Sequence, residues 1–185
     1  MSFDPARSAF LVRLCHHRWA IGTAAEVARR EGARFVELQH GLGIHPASLR
    51  AALDALLELR LIRRNPGYGH PLRPEYLPTE SGARLGPALQ ALLRSWRERG
   101  IEETALRKWS LPVLDAVAGG HRRFRDLEAA LPEITPRALA RTIRDLGAAG
   151  LVEREIDPGF PPVPYYSPTS DGSRLARRLR SLSGS

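Results

Sequence analysis

Apolar positions recur along this chain at helical spacing, and the arrangement of the first half returns in the second about ninety residues later. Trp19 falls on Trp109; with one residue dropped and one restored, Phe35 falls on Phe124, Leu38 on Leu127, Leu42 on Leu131 and Ile44 on Ile134. The match then continues in one register: Leu49 meets Leu139, Leu53 meets Ile143, Leu56 meets Leu146, Leu61 meets Leu151, Tyr76 meets Tyr166, Thr79 meets Thr169 and Gly82 meets Gly172. A frame kept over so long a span marks an internal duplication.

Within the second copy, Trp109, Leu111, Val113, Leu114 and Val117 predict an apolar helix that stops at Gly119-Gly120, where a positive φ can close it. The basic pair Arg122-Arg123 leads into a second helix carrying Phe124, Leu127 and Leu131, closed by Pro132. Thr135 followed by Pro136 is a helix start, a side-chain oxygen for the free N–H groups and then a proline at the first helical position. Leu139, Ile143 and Leu146 give this third helix its buried stripe, and Gly150 ends it. Val152 to Ile156 and Val163 to Ser167 read as strands around the turn Asp157-Pro158-Gly159, and Thr169 opens a last helix through Leu175, Leu179 and Leu182.

The first copy predicts the same order: helices from about Trp19 to Arg30, Phe35 to Leu42 and Pro46 to Leu59, then strands near Leu61 to Arg64 and Arg73 to Leu77. Its last helix is longer, from Thr79 to about Arg99, with Leu85, Leu89, Leu92 and Trp96 as one apolar stripe. A further helix near residues 5 to 16, with Phe10, Leu11 and Leu14, lies outside the repeat. Three helices and a hairpin make a helix-turn-helix with a wing. The expected fold is therefore α+β, mainly helical, with two tandem winged helix-turn-helix domains joined by a long linker helix. The expected divisions are an N-terminal helix at 1–17, a first domain at 18–82, a linker helix region at 83–107 and a second domain at 108–185.

A chain of 185 residues gives each copy only a modest core. Of 28 lysines and arginines, one is Lys108 and 27 are arginine, and the net charge is +8. Such a balance suits a polyanion, because guanidinium pairs with phosphate oxygens and guanine edges, although an arginine-rich composition also follows from a GC-rich genome. The single cysteine, Cys15, excludes an internal disulfide and suits a reducing cytoplasm. With no run of eighteen apolar residues and no signal-peptide pattern, a soluble protein without membrane contact is expected. Nucleophile elbow, P-loop, HExxH and paired catalytic carboxylates are all absent, so an enzyme is not expected.

Candidate chemistry lies on the third helices and the wings. If the third helix of the second copy enters a major groove, Arg137, Arg141 and Arg144 face it at i, i+4 and i+7, with Ala138 and Thr142 beside them. Thr135 and the pair Arg122 and Arg123 join the same candidate surface. The equivalent positions of the first copy are Ala47, Ala51 and Asp54, which leaves His45, Ser48 and Arg50 as its polar candidates. The wings reverse this asymmetry: Arg63, Arg64, His70 and Arg73 make the first basic, while Glu153, Glu155 and Asp157, with Phe160 and Val163, make the second acidic and apolar. A basic wing can follow phosphates where an acidic one is repelled, so Phe160, Pro161 and Pro162 are expected to face protein. Trp19 and Trp109 read as core packing, Cys15 as a small buried side chain, and His16-His17 as surface residues pointing apart.

Residues 108 to 175 resemble the winged-helix domain of HxlR-type bacterial transcription regulators, relatives of the MarR group. The resemblance rests on Lys108-Trp109-Ser110, Arg122-Arg123-Phe124-Arg125-Asp126-Leu127, Ile134-Thr135-Pro136-Arg137-Ala138-Leu139, Gly150-Leu151-Val152-Glu153-Arg154 and Tyr166-Ser167-Pro168-Thr169. The first copy matches through Arg18-Trp19, Arg34-Phe35-Val36-Glu37-Leu38 and Tyr76-Leu77-Pro78-Thr79. The resemblance implies a DNA-binding transcriptional regulator on double-stranded DNA, cytoplasmic and nucleoid-associated, with no cofactor requirement, and a homodimer through the N-terminal, linker or C-terminal helices. It does not imply thiol sensing, since the cysteine that redox-sensing members carry well before the tryptophan is missing and Cys15 lies four residues before Trp19. A structural adaptor like the tandem winged-helix subunits of chromosome-segregation complexes, and a non-specific DNA-binding protein, are the alternatives; whether a small-molecule effector exists is left open by the residues.

Overall fold

The computed structural model describes residues 3–66, 73–159 and 162–182. The chain divides into two bodies, residues 13–98 and residues 3–12 together with 99–182. His70 lies outside the described residues, as do Phe160 and Pro161 of the second wing.

The first body is built on α2 (Ala20–Arg29). Of its buried residues, Ala20, Thr23, Ala24 and Ala25 present small side chains, so other helices approach closely, while Ile21 and Val27 fill the core. Against it pack α3 (Phe35–Leu42), α4 (Pro46–Glu58) and the long α5 (Glu80–Glu98). Strands β1 (Ile62–Arg64) and β2 (Tyr76–Pro78) form the antiparallel wing, with Arg63 opposite Leu77 and Arg64 opposite Tyr76. The stripe Leu85, Leu89, Leu92 and Trp96 is buried as α5 packs on α2, and Gly86 faces Ala28 so closely that an added Cβ would lie 2.5 Å from the Ala28 methyl. Thus α5 is part of the first core. The expected linker region 83–107 divides, its first part in α5 and residues 99–107 in the other body, where they include a short turn of helix, α6 (Glu102–Ala105).

The second body repeats this arrangement around α7 (Ser110–Ala118), whose residues Ser110 to Val117 are all buried. Around it lie α8 (Phe124–Ala130), α9 (Pro136–Ala148), the wing β3 (Val152–Asp157) and β4 (Val163–Pro168), and α10 (Ser170–Arg180). In sequence the helix α1 (Pro5–Leu14) precedes the first copy, yet its residues up to Val12 belong to this body. Arg7 of α1 reaches Asp115 of α7, and Phe3 sets its ring edge-on to His121 at 4.6 Å between centroids.

The duplication extends to hydrogen bonds. Thr79 N donates to Leu61 O at 3.1 Å and its Oγ1 donates to Arg60 O at 2.7 Å; Thr169 N donates to Leu151 O at 3.1 Å and its Oγ1 to Gly150 O at 2.7 Å. Each threonine also caps its own helix, accepting from Gly82 N at 3.1 Å and from Gly172 N at 3.0 Å. Both positions require glycine. A Cβ on Gly82 would lie 1.8 Å from Leu61 O, and one on Gly172 would lie 1.9 Å from Leu151 O.

Two tryptophans differ from the core reading. Trp19 and Trp109 are half-buried at the start of α2 and α7, whereas Trp96 is fully buried. Cationic neighbours cover the half-buried rings: the Arg18 guanidinium lies 5.6 Å from the Trp19 centroid and Lys108 Nζ 4.8 Å from that of Trp109. His16 and His17 do not point apart, since their rings meet edge to face at 4.8 Å. The reason is that α1 ends at Leu14, so helical directions do not apply to the turn that holds them.

Candidate nucleic-acid interface

The start of α9 is set by the sequence Thr135-Pro136. The Thr135 Oγ1 accepts from Ala138 N at 3.2 Å, and Pro136 occupies the first turn, where no N–H is required. Leu139, Ile143 and Leu146 are buried under the helix. On the opposite face Arg137, Arg141 and Arg144 are all exposed, with Ala138 half-buried between the faces. Thr142 does not belong to this face: it is 9 % exposed, beside Ile143 on the inner side, so as a base-contacting candidate it is corrected. Thr135 also has its oxygen engaged in the cap.

The three arginines are not equivalent. Asp145 is held by Arg107 in a close ion pair, and Arg141 Nε lies 3.8 Å from the same carboxylate. Arg137 and Arg144 have no side-chain partner among the described residues and project into solvent. Arg122 is exposed and its carbonyl accepts from Tyr166 N at 2.8 Å, which ties the entry of α8 to the wing. Arg123 is committed to the same junction. Its guanidinium donates to Tyr165 Oη at 2.8 Å, and its backbone N–H donates to Asp126 at 3.2 Å.

In the first body His45 is the N-cap of α4, its Nδ1 accepting from Ala47 N at 3.3 Å. Ser48 is half-buried, and the exposed Arg50 lies 5.7 Å from the Phe35 ring centroid. Ala47 and Asp54 are exposed, so this helix presents a face of little positive charge. The wing is different. Arg63, Arg64 and Arg73 are exposed, Arg64 with its guanidinium 5.6 Å from the Tyr76 centroid.

One basic residue escaped the sequence reading. Arg154 is exposed on β3, and with Arg144 it borders a groove of about 300 Å³ between α9 and the wing. Its acidic neighbours Glu153 and Glu155 masked it, but the repeat carried the signal, since Arg154 occupies the place of Arg64. Among the described residues no cluster of side chains could hold a metal ion, and no helix is long and apolar enough to cross a membrane.

The HxlR-like helix-turn-helix family matches twice, over residues 14–105 and 106–184, and the chain belongs to this family with its domain in two consecutive copies. An uncharacterized HTH-type transcriptional regulator of Methanothermobacter thermautotrophicus is 37 % identical over 75 residues, which span 40 % of this chain and 57 % of that protein. The HTH-type regulator YvaP of Bacillus subtilis, also uncharacterized, is 32 % identical over 77 residues, 42 % of this chain and 71 % of its own length. The matched stretch therefore covers little more than half of the first of these relatives. A crystal structure from Enterococcus faecalis V583, assigned to the MarR family of transcriptional regulators, aligns with 52 % of this chain and 79 % of its own at 31 % identity and a TM-score of 0.42.

Proposed function

We propose that the chain is a sequence-specific DNA-binding transcriptional regulator in which the two copies work unequally. The observation that carries this reading is the exposed arginine face of α9 in a winged helix of the HxlR-like family. Arg137 and Arg144 would read base edges in the major groove, with Arg141 beside them and Ala138 offering a methyl contact. The first copy would contact the backbone through Arg63, Arg64 and Arg73, because phosphate contacts position a protein without specifying sequence. Its α4, with Ala47 and Asp54 outward, favours a protein contact instead, which is the feature on which an adaptor role would rest.

A homodimer through the flanking helices would have to use their outward, polar faces. The apolar residues Leu11, Leu89, Trp96 and Leu179 of α1, α5 and α10 are already buried. Sedimentation of the full chain with and without DNA tests the dimer.

The functional test is selection of bound sites from random DNA, followed by the same selection with Arg137→Ala/Arg144→Ala. A recovered motif that the double substitution erases supports base reading by α9. An unchanged motif sinks it, and binding that vanishes with modest salt and yields no motif would favour the non-specific reading.

A further inference from the structure

Helix α10 carries a second arginine face in the second body. Arg174, Arg177 and Arg178 are exposed on it at i, i+3 and i+4, while Leu175, Ala176 and Leu179 are buried beneath. The single acid of the helix, Asp171, is held by both Arg174 and Arg99. Arg177 and Arg178 have no side-chain partner among the described residues. Cations in a last turn complement the helix dipole, yet α5, the matching helix of the first body, has Arg97 alone in its last turn where α10 has Arg177, Arg178 and Arg180. At the places of these three the first copy carries Pro87, Ala88 and Gln90, so the charge is no part of the repeated frame.

We propose that α10 binds the phosphate backbone of a second DNA duplex while α9 holds the first. The central helix α7 is buried from Ser110 to Val117, with α9 and α10 each packed on it and little contact between the two. Their outward arginines therefore leave the core in different directions, and a duplex seated on α9 leaves α10 uncovered. Three neighbouring cations with no exposed apolar or amide side chain among them suit phosphates, which position, and not base edges, which specify. A two-fold contact between copies through this face would set its arginines against themselves, so a polyanion fits where a second α10 does not. The seating of the first duplex rests on the DNA-reading role of α9; the contact made by α10 does not.

A bridging assay tests this with the full chain. An immobilised duplex carrying a selected site is loaded with protein, washed, and offered a labelled duplex of unrelated sequence, whose retention measures the second contact. The parent is expected to retain it. Arg177→Gln/Arg178→Gln should capture at least about tenfold less, with a salt slope of capture lower by about 1.8, at about 0.9 for each phosphate contact. Its affinity for the immobilised site should stay within about twofold of the parent's, which also shows that the second body is folded. Arg177→Lys/Arg178→Lys, which keeps the charge, should capture as the parent does. No capture by the parent overturns the proposal. So does undiminished capture by the glutamine variant, since the second α9 of a dimer would then be the captor. Retention of the parent by vesicles of phosphatidylcholine and phosphatidylserine, without capture of a second duplex, overturns it in favour of a membrane surface. If selection recovers no motif, the reading of α9 fails by itself. Titration with the unrelated duplex alone then decides for α10, where the glutamine variant should still show a salt slope lower by about 1.8 and an unchanged slope overturns the contact.

Discussion

Arg7 and Asp115, 108 residues apart, form a bidentate pair inside the second body. Arg7 Nε lies 3.2 and 3.3 Å from the two carboxylate oxygens, and Nη2 lies 3.2 Å from Oδ2. The two side chains are 8 % and 2 % exposed. This pair attaches the N-terminal helix to the central helix of the second copy.

Removing one partner of such a pair strands the other. Arg7→Met is expected to destabilise the second body by about 3–5 kcal/mol at neutral pH. Burial pushes the Asp115 carboxyl above its ordinary 3.8, more than the Arg7 guanidinium draws it down. A raised folded value means that the stabilising contribution is complete below the ordinary 3.8 and is lost as pH rises through the higher folded value. Without Arg7 the shift grows, so the deficit of the variant should be small near pH 3 and increase toward neutrality. Urea unfolding of both proteins across this range checks it; a deficit independent of pH would contradict the assignment.

Glu26 in the first body behaves in the opposite sense. Arg29 and Arg30 hold its carboxyl at about 2, against the ordinary 4.5, with the hydrogen bonds from Arg29 foremost. A depressed value stabilises above pH 4.5, and the contribution is lost as pH falls through about 2. Glu26→Gln should therefore be less stable than the parent above pH 4.5 and approach it near pH 2. Hydrogen exchange of α2 amides as a function of pH measures this within the first body.

Gly82→Ala and Gly172→Ala should each cost about 3 kcal/mol or more, because the new methyl meets a carbonyl oxygen of the backbone, not a side chain that can turn away. The losses should be local. Exchange should accelerate in α4 and α5 for the first variant and in α9 and α10 for the second. Equal acceleration in both bodies from either variant would show that they unfold as one.

Cys15 is buried, and burial raises its thiol to about 12. Little thiolate is then present at pH 8, and a disulfide-forming reagent should modify it only at the rate of local opening. Rapid stoichiometric labelling of the folded chain would refute this.

Substitutions in the two candidate surfaces should differ in kind. Losing Arg137 or Arg144 should cost about 1–3 kcal/mol for each bidentate base contact and relax the sequence preference. Losing Arg63 or Arg64 should weaken all sequences alike and lower the salt slope by about 0.9 for each phosphate contact. Filter binding at several salt concentrations separates the two behaviours.

Legibility followed the range of the forces involved. Helix α9 could be read from Thr135-Pro136, its apolar stripe and the glycine after it, since caps and stripes act within a few residues. Thr142 was misplaced because a position at the edge of a stripe turns inward or outward according to what packs on it. Trp19 and Trp109 open apolar helices, but their exposure depends on how far neighbours reach over the first turn. Arg154 was hidden because strand alternation carries little information in a wing, where both faces meet solvent.

By itself the sequence determined the duplication, the order of helices and wings, and the unequal charge of the two third helices, all of which rest on local pattern repeated twice. Tertiary structure alone decided where α1 belongs. Nothing in the composition of residues 5–14 distinguishes the copy beside it from the distant one. The choice is made by a salt bridge and a covered surface whose partners are 108 residues apart, a separation over which no local pattern carries information.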